Sequence, residues 1–311
     1  MAMCGSGGHY STYVRSEAES QVADSQRRTQ VADYDQDVSE RLRDLLRNVN
    51  ERDSSAINGH LDEVKRILED YVDDSVTLRF GGSVSRHTYV SGLSDVDALV
   101  LLNQDRFAAA DPQELLGRFE DLLRKTLPDS VSVKRGDLAI TLTYKDGHEL
   151  QLLPALKTST GVRIAASNGE GWSNVIRPQT FAKRLTDVNQ ANSGRVVPVI
   201  KIIKASLEGL SDSLRPRGHH IEALAIDAFE RYHGTMTTKA MLEHFFDRAA
   251  ERVRTPLHDR TGQSNYLDDY LGGRNSTARQ ELSTEFARIR DSLKTANEEM
   301  SSHSWLNALG L

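Results

Sequence analysis

The stretch Gly81–Leu102, GGSVSRHTYVSGLSDVDALVLL, decides how this chain is read. Just before it, Val76 to Phe80 has the composition of a strand, and Gly81-Gly82 breaks it. Ala98 to Leu102 is apolar throughout, as a strand covered on both faces would be. Between the two lie Gly82-Ser83, opening a short helix, and Asp95-Val96-Asp97, leading into the second strand. Side chains two apart on a strand share a face, so Asp95 and Asp97 point the same way. Two carboxylates ~6–7 Å apart along a strand cannot both leave water cheaply without a counter-charge. A divalent cation supplies that charge, and an all-oxygen ligand set favours Mg2+ or Mn2+. At the start of the short helix, backbone N–H groups after Gly82 and the Ser83 hydroxyl would face an anion. A phosphate cradle beside a carboxylate pair is the layout of metal-assisted phosphoryl transfer. Asp-x-Asp alone is common in solvated turns and Gly-Ser alone is as common; their conjunction between two strands carries the reading.

Upstream, Val38, Leu42, Leu45, Leu46 and Val49 recur at helical spacing, and so do Ile57, Leu61, Val64, Leu68 and Tyr71. Two amphipathic helices therefore precede the first strand. Residues 1–32 carry few apolar side chains, without a sustained period, and read as a flexible polar tail. Downstream, Leu115, Leu116, Phe119, Leu122 and Leu123 mark a helix, and Val131 with Val133 a strand. Leu138 to Tyr144 alternates as a half-buried strand, and Asp146-Gly147 turns the chain into a partner strand, Glu149 to Leu153. Residues 157–180 read as loop. Helical patterns follow over 181–189, 196–208, 221–232, 237–252 and 278–299. The layout is an α+β half, residues 33–160, then a C-terminal α-helical lobe, residues 161–311, with a ligand cleft between them.

The 311 residues carry 39 Lys plus Arg against 45 Asp plus Glu, a formal charge of −6, which argues against a global basic field that coats nucleic acid. The single cysteine, Cys4, excludes an intramolecular disulfide and fits a reducing compartment. No apolar run approaches the ~18 residues of a membrane span, and the start lacks a basic region followed by an apolar one. A cytoplasmic protein without membrane contact is expected. The histidines, among them His87, His148, His219 and His220, show no zinc spacing, so no structural zinc is expected. Asp268-Asp269 reads as a solvated helix face, and Trp172 as packing.

Gly82-Ser83, Thr88 and Ser94-Asp95-Val96-Asp97 resemble the DNA polymerase β-like nucleotidyltransferase superfamily. Within it they are similar to the template-independent branch: the bacterial cyclic-oligonucleotide synthases (CD-NTases), cyclic GMP–AMP synthase, the oligoadenylate synthases and archaeal CCA-adding enzymes. The resemblance implies a mixed sheet with flanking helices and a helical lobe closing over nucleoside triphosphates. It implies two Mg2+ ions, with Mn2+ as a substitute, held by Asp95 and Asp97. It implies a cyclic or short linear oligonucleotide second messenger, made with release of pyrophosphate and sensed by a downstream effector in anti-phage defence. In the family a third carboxylate often stands three residues before a proline. Here Pro154 puts Gln151 at that place, and a neutral amide is a poorer ligand for a hard cation and cannot act as a base. Glu149 shares the strand face with Gln151, so three readings stay open: Glu149 substitutes as metal ligand, two aspartates suffice, or the chain is inactive. The resemblance assigns nucleotide contacts to Gly82, Ser83, Thr88, Gln151, Lys201, Lys204, Arg217 and His219. Arg217-Gly218 stands where relatives carry paired hydroxyls, and His219 where they carry an aromatic ring. A transferase that tails a nucleic-acid or protein acceptor is the alternative within enzymes.

Overall fold

Val96 to Val100 is buried at alternate positions, Leu101 and Leu102 are buried outright, and the strand has partners on both sides from which the rest of the sheet grows. The computed structural model describes residues 8–50, 54–72, 77–80, 82–90, 96–166, 171–258 and 267–311. In chain order the elements are α1 (Gly8–Asn50), α2 (Ser54–Val72), β1 (Thr77–Phe80), α3 (Gly82–Ser85), β2 (Val96–Asn103), α4 (Gln104–Phe107) and α5 (Pro112–Thr126). Then come β3 (Ser132–Arg135), β4 (Ile140–Thr143), β5 (Glu149–Lys157) and β6 (Val162–Ile164). The remainder is helical: α6 (Pro178–Ala191), α7 (Val196–Ser206), α8 (Gly218–Phe229), α9 (Thr238–Arg252), a short 3-10 turn (Asp269–Leu271), α10 (Thr277–Glu298) and α11 (Ser302–Ala308).

The sheet order is β1-β2-β5-β4-β3, with β6 also paired to β5. Only β2 and β5 run parallel; the other pairs are antiparallel, so the sheet is mixed. One face, through Val96, Ala98, Leu102, Leu150 and Leu152, packs on Leu61, Val64 and Leu68 of α2 and Leu116, Phe119 and Leu123 of α5. The other face carries Asp97, Leu99, Gln151 and Leu153, each half-buried. Asp111 caps α5 by accepting from the Gln113 N–H, with Pro112 in the first turn, which fixes where that helix begins.

Three expectations need correction. Residues 1–32 are not a free tail over the described part, because α1 runs unbroken from Gly8 to Asn50. No glycine or proline interrupts residues 9–50, and helix formers such as Ala, Glu, Gln and Arg suffice without an apolar face. The second half of α1 leaves the sheet half altogether: Tyr34, Val38 and Leu42 sit in one apolar cluster with α6 to α11. The helical lobe is thus built from both ends of the sequence. Finally, β5 continues through Pro154 to Lys157, and the supposed loop after it contains β6. Proline is tolerated in this interior strand because β4 pairing stops at Leu152 and β6 pairing starts at Ala155, so Pro154 falls in the gap between two partners. Trp172 packs against the sheet core and donates from Nε1 to the Ala110 carbonyl, as expected of a packing residue. No helix among the described residues is long and apolar enough to cross a membrane.

Candidate active site

Gly82 takes φ +45, a conformation that a side chain disfavours. A Cβ built there would lie 1.4 Å from Asp97 Oδ2, so β2 and the start of α3 approach each other as only glycine permits. The close approach lets the Ser83 backbone N–H donate to the Asp97 carboxylate. That amide, expected to serve a phosphate, is therefore taken by Asp97. The Ser83 hydroxyl is buried and has no hydrogen-bond partner among the described residues.

Asp97 is drawn in two directions. Burial pushes its carboxyl above the ordinary aspartate value, and nearby Glu222 adds to the rise. Arg86, the Ser83 amide and Lys204 pull the other way and do not balance it. Gln151 stands directly beside Asp97 across the parallel pair, at the place the resemblance gives to the third carboxylate. Glu149 lies two residues earlier, exposed, and accepts a hydrogen bond from Thr143 Oγ1 at 2.8 Å. Asp95 lies outside the described residues.

Behind this face is a buried polar anchor. Glu222, on α8, is fully buried. It accepts from Lys204 Nζ at 3.0 Å, from Arg86 Nε at 2.6 Å and from Thr88 Oγ1. Burial would raise the Glu222 carboxyl, but Lys204, His219, Arg86 and Thr88 together outweigh it and hold it well below the usual range. Lys204 also donates to the Thr88 carbonyl at 3.0 Å and lies 3.3 Å from Thr88 Oγ1. Its ammonium is spent inside the protein, so Lys204 and Thr88 join α7 and α8 to the segment after α3.

The other expected residues spread around this anchor. Lys201 donates from Nζ to Asn50 Oδ1 at the edge of a cleft of about 510 Å3, lined also by Arg86, His87 and Asn189. His219 packs its ring on Phe181, 4.1 Å between centres, and Arg86 covers the same ring at 5.6 Å. Arg217, exposed, lies over Tyr270 at 4.7 Å. Sequence reasoning missed Arg86, which borders both the cleft and the Asp97 carboxylate. Its signal was present: Arg86 stands three residues after Ser83, one turn along a short helix. Asp268, read as solvated, is buried against Arg279 at 2.7 Å and accepts from the Leu257 N–H at 2.9 Å.

The residues present fit a divalent cation and a phosphate. A carboxylate whose burial exceeds its compensation invites positive charge, and an unsatisfied buried hydroxyl at a helix start invites an anionic oxygen. A mixed sheet with a Gly-Ser helix laid over a carboxylate-bearing strand, closed by a helical lobe, defines a nucleotidyltransferase of the polymerase β-like class. Residues 36–189, close to half of the chain, match the Second Messenger Oligonucleotide or Dinucleotide Synthetase domain, a family of nucleotidyltransferases. No curated protein sequence matches it.

Solved structures match over most of the chain. The CD-NTase CdnG of Bradyrhizobium diazoefficiens in complex with GTP superposes with a TM-score of 0.67, at 14% identity, over 88% of this chain and 97% of that one. Escherichia coli DncV in its 3′-deoxy GTP bound form gives 0.63 at 13% identity, over 94% and 90%. The CdnE cyclic dinucleotide synthase of Elizabethkingia meningoseptica with GTP and Apcpp gives 0.61 at 16% identity, over 79% and 96%. These likenesses establish a shared fold, including the helical lobe.

Proposed function

We propose that the chain joins nucleoside triphosphates through ribose hydroxyls, releasing pyrophosphate and making a cyclic or short linear oligonucleotide second messenger. The carrying observation is Asp97: desolvated, under-compensated, and held beneath the Gly82-Ser83 helix start. Asp95 and Asp97 are the metal ligands in this reading, with Glu149 completing the set from the same strand face as Gln151. These residues would hold Mg2+ or Mn2+, as a pair of ions, which would supply activation of the attacking hydroxyl and charge neutralisation at the pyrophosphate. The chain's own groups do the rest. Ser83 Oγ donates to a donor phosphate oxygen, Arg86 and Lys201 supply positive charge along the cleft, and His219 offers a ring edge beside the base. The Lys204–Glu222–Thr88 anchor keeps α3 at a fixed distance from the helical lobe, so these donors are preset when substrate arrives. CD-NTase relatives are bacterial, which supports a cytoplasmic role in anti-phage defence with an effector that senses the product.

A second reading rests on Gln151. Its place beside Asp97 fits a nucleotide-binding homologue without turnover. Incubation of the protein with labelled ribo- and deoxyribonucleoside triphosphates and Mg2+ or Mn2+ separates the two. A discrete phosphatase-resistant product with pyrophosphate supports synthesis, and a ladder on added RNA supports tailing. Nucleotide binding with no pyrophosphate in any mixture rejects catalysis. Within the active reading, Glu149→Ala abolishes product while Gln151→Ala only weakens it. Wild-type rates for Glu149→Ala would remove Glu149 from the ligand set.

A further inference from the structure

Away from the cleft, three side chains converge where α2 meets the turn between β4 and β5. His60 Nε2 lies 2.7 Å from Asp146 Oδ2, and His148 Nδ1 lies 3.1 Å from Asp146 Oδ1. One ligand atom from each of the three residues falls within 4.8 Å of the others. The two imidazole rings are 6.0 Å apart between centres. On a tetrahedral Zn2+ with bonds of ~2.0–2.1 Å, donor atoms stand about 3.3 Å apart and two imidazole centres about 5 Å apart. Side-chain shifts of about an ångström bring these three residues to that geometry.

We propose that His60 Nε2, His148 Nδ1 and the Asp146 carboxylate bind one Zn2+ ion, with water as its fourth ligand.

Three observations favour a cation over a hydrogen-bonded trio. His148 Nδ1 is buried and meets the Asp146 carboxylate at 3.1 Å outside good hydrogen-bond alignment. A buried polar atom left so is costly, and coordination relieves the cost. The His60 ring is oriented in advance, stacked on Tyr144 at 3.6 Å and 20°. Two nitrogens and one carboxylate suit Zn2+, whereas the cleft offers oxygen ligands that suit Mg2+. The two sites therefore select different metals. Spacing in the sequence gave no hint, because His60 is 86 residues from Asp146. The expectation of no zinc applied to a sequence motif, and this site is assembled by the fold.

The ion would tie α2 to the start of β5. His148 immediately precedes Glu149, so the metal would pin the end of the strand that carries Glu149 and Gln151. The test uses untagged full-length protein, stripped by chelator and dialysed against Zn2+ in excess Mg2+. The expected result is about one Zn2+ per chain, with Co2+ in its place giving the strong visible bands of a four-coordinate site. His60→Asn and His148→Asn each weaken uptake by about tenfold or more, with helix content unchanged by circular dichroism. Asp97→Asn retains the ion, which separates this site from the cleft. Uptake well below one ion per chain overturns the proposal. So does uptake unchanged in both histidine variants, or uptake lost in Asp97→Asn. If a histidine variant unfolds, the cobalt spectrum of the wild type decides: weak six-coordinate bands reject the site.

Discussion

Asp97 and Glu222 are neighbouring carboxylates taken out of water, and the protein treats them in opposite ways. Glu222 meets a lysine, an arginine and a hydroxyl, and its charge is held in place. Asp97 receives one backbone amide and the charge of Arg86 and Lys204, without an ion pair of its own among the described residues, and burial drives its carboxyl upward. Asp268, deep in the helical lobe, is handled like Glu222, with Arg279 and a backbone N–H closing around it. Compensation of this kind marks a group that holds the fold together. A deficit at a cleft marks a group reserved for something that arrives from solution. Both Glu222 and Asp268 belong to the helical lobe, while Asp97 sits on the sheet, under the start of α3.

The largest effect that separates the two is on turnover. Asp97→Asn lowers nucleotidyl transfer by at least ~10³-fold while leaving the melting temperature unchanged or higher, since it removes an under-compensated charge. Pyrophosphate release and thermal melting measure the two halves of that statement. Lys204→Met does the reverse to the fold, costing about 3–5 kcal/mol because Glu222 loses its main partner. Adding Glu222→Leu to it restores much of that stability in chemical denaturation, whereas equal losses in single and double variants would break the comparison. Gly82→Ala comes next. The new Cβ strains a left-handed backbone by about 1–3 kcal/mol and displaces Asp97, cutting turnover by about 10²-fold with nucleotide affinity less affected.

The smallest effect is on pH dependence, and its sign differs between the two carboxylates. Glu222 titrates below its ordinary value of 4.5 in the folded protein. Its contribution is therefore present above pH 4.5 and lost as pH falls through the lower folded value. Asp97 titrates above its ordinary 3.8 when folded. Its contribution is best below pH 3.8 and lost as pH rises through the raised value. Wild type should thus fall behind Asp97→Asn in stability as pH rises above 3.8 and through the raised value. Parallel melting curves for the two proteins across that range would contradict the raised Asp97.

Much of this was legible in the sequence. The apolar run after Asp97 announced β2, and the Asp-Gly turn announced the β4–β5 pair, because burial pattern and turn chemistry are local. Helices α7, α9 and α10 fall within two residues of the expected bounds for the same reason. The anchor was illegible as a unit, since Thr88, Lys204 and Glu222 meet only after two lobes fold together. Asp268 looked solvated because its partner Arg279 is eleven residues on, in α10. The stretch of α1 before Tyr34 was missed because it carries no apolar stripe, the one feature that a period search detects, and its residues 19–33 are exposed. The residue at the third carboxylate position was readable from Pro154 alone, and the strand register puts Gln151 beside Asp97.

Gly82 carries a consequence for how this site changes over generations. All four glycine codons share their first two bases, so any change at either base replaces the residue, and every replacement sends a side chain into the Asp97 carboxylate. A genetic selection for product synthesis in a randomised library would therefore return one amino acid at this position and many at the exposed positions of α1. The contact between a missing side chain and the Asp97 oxygen makes position 82 a point of near-zero mutational robustness.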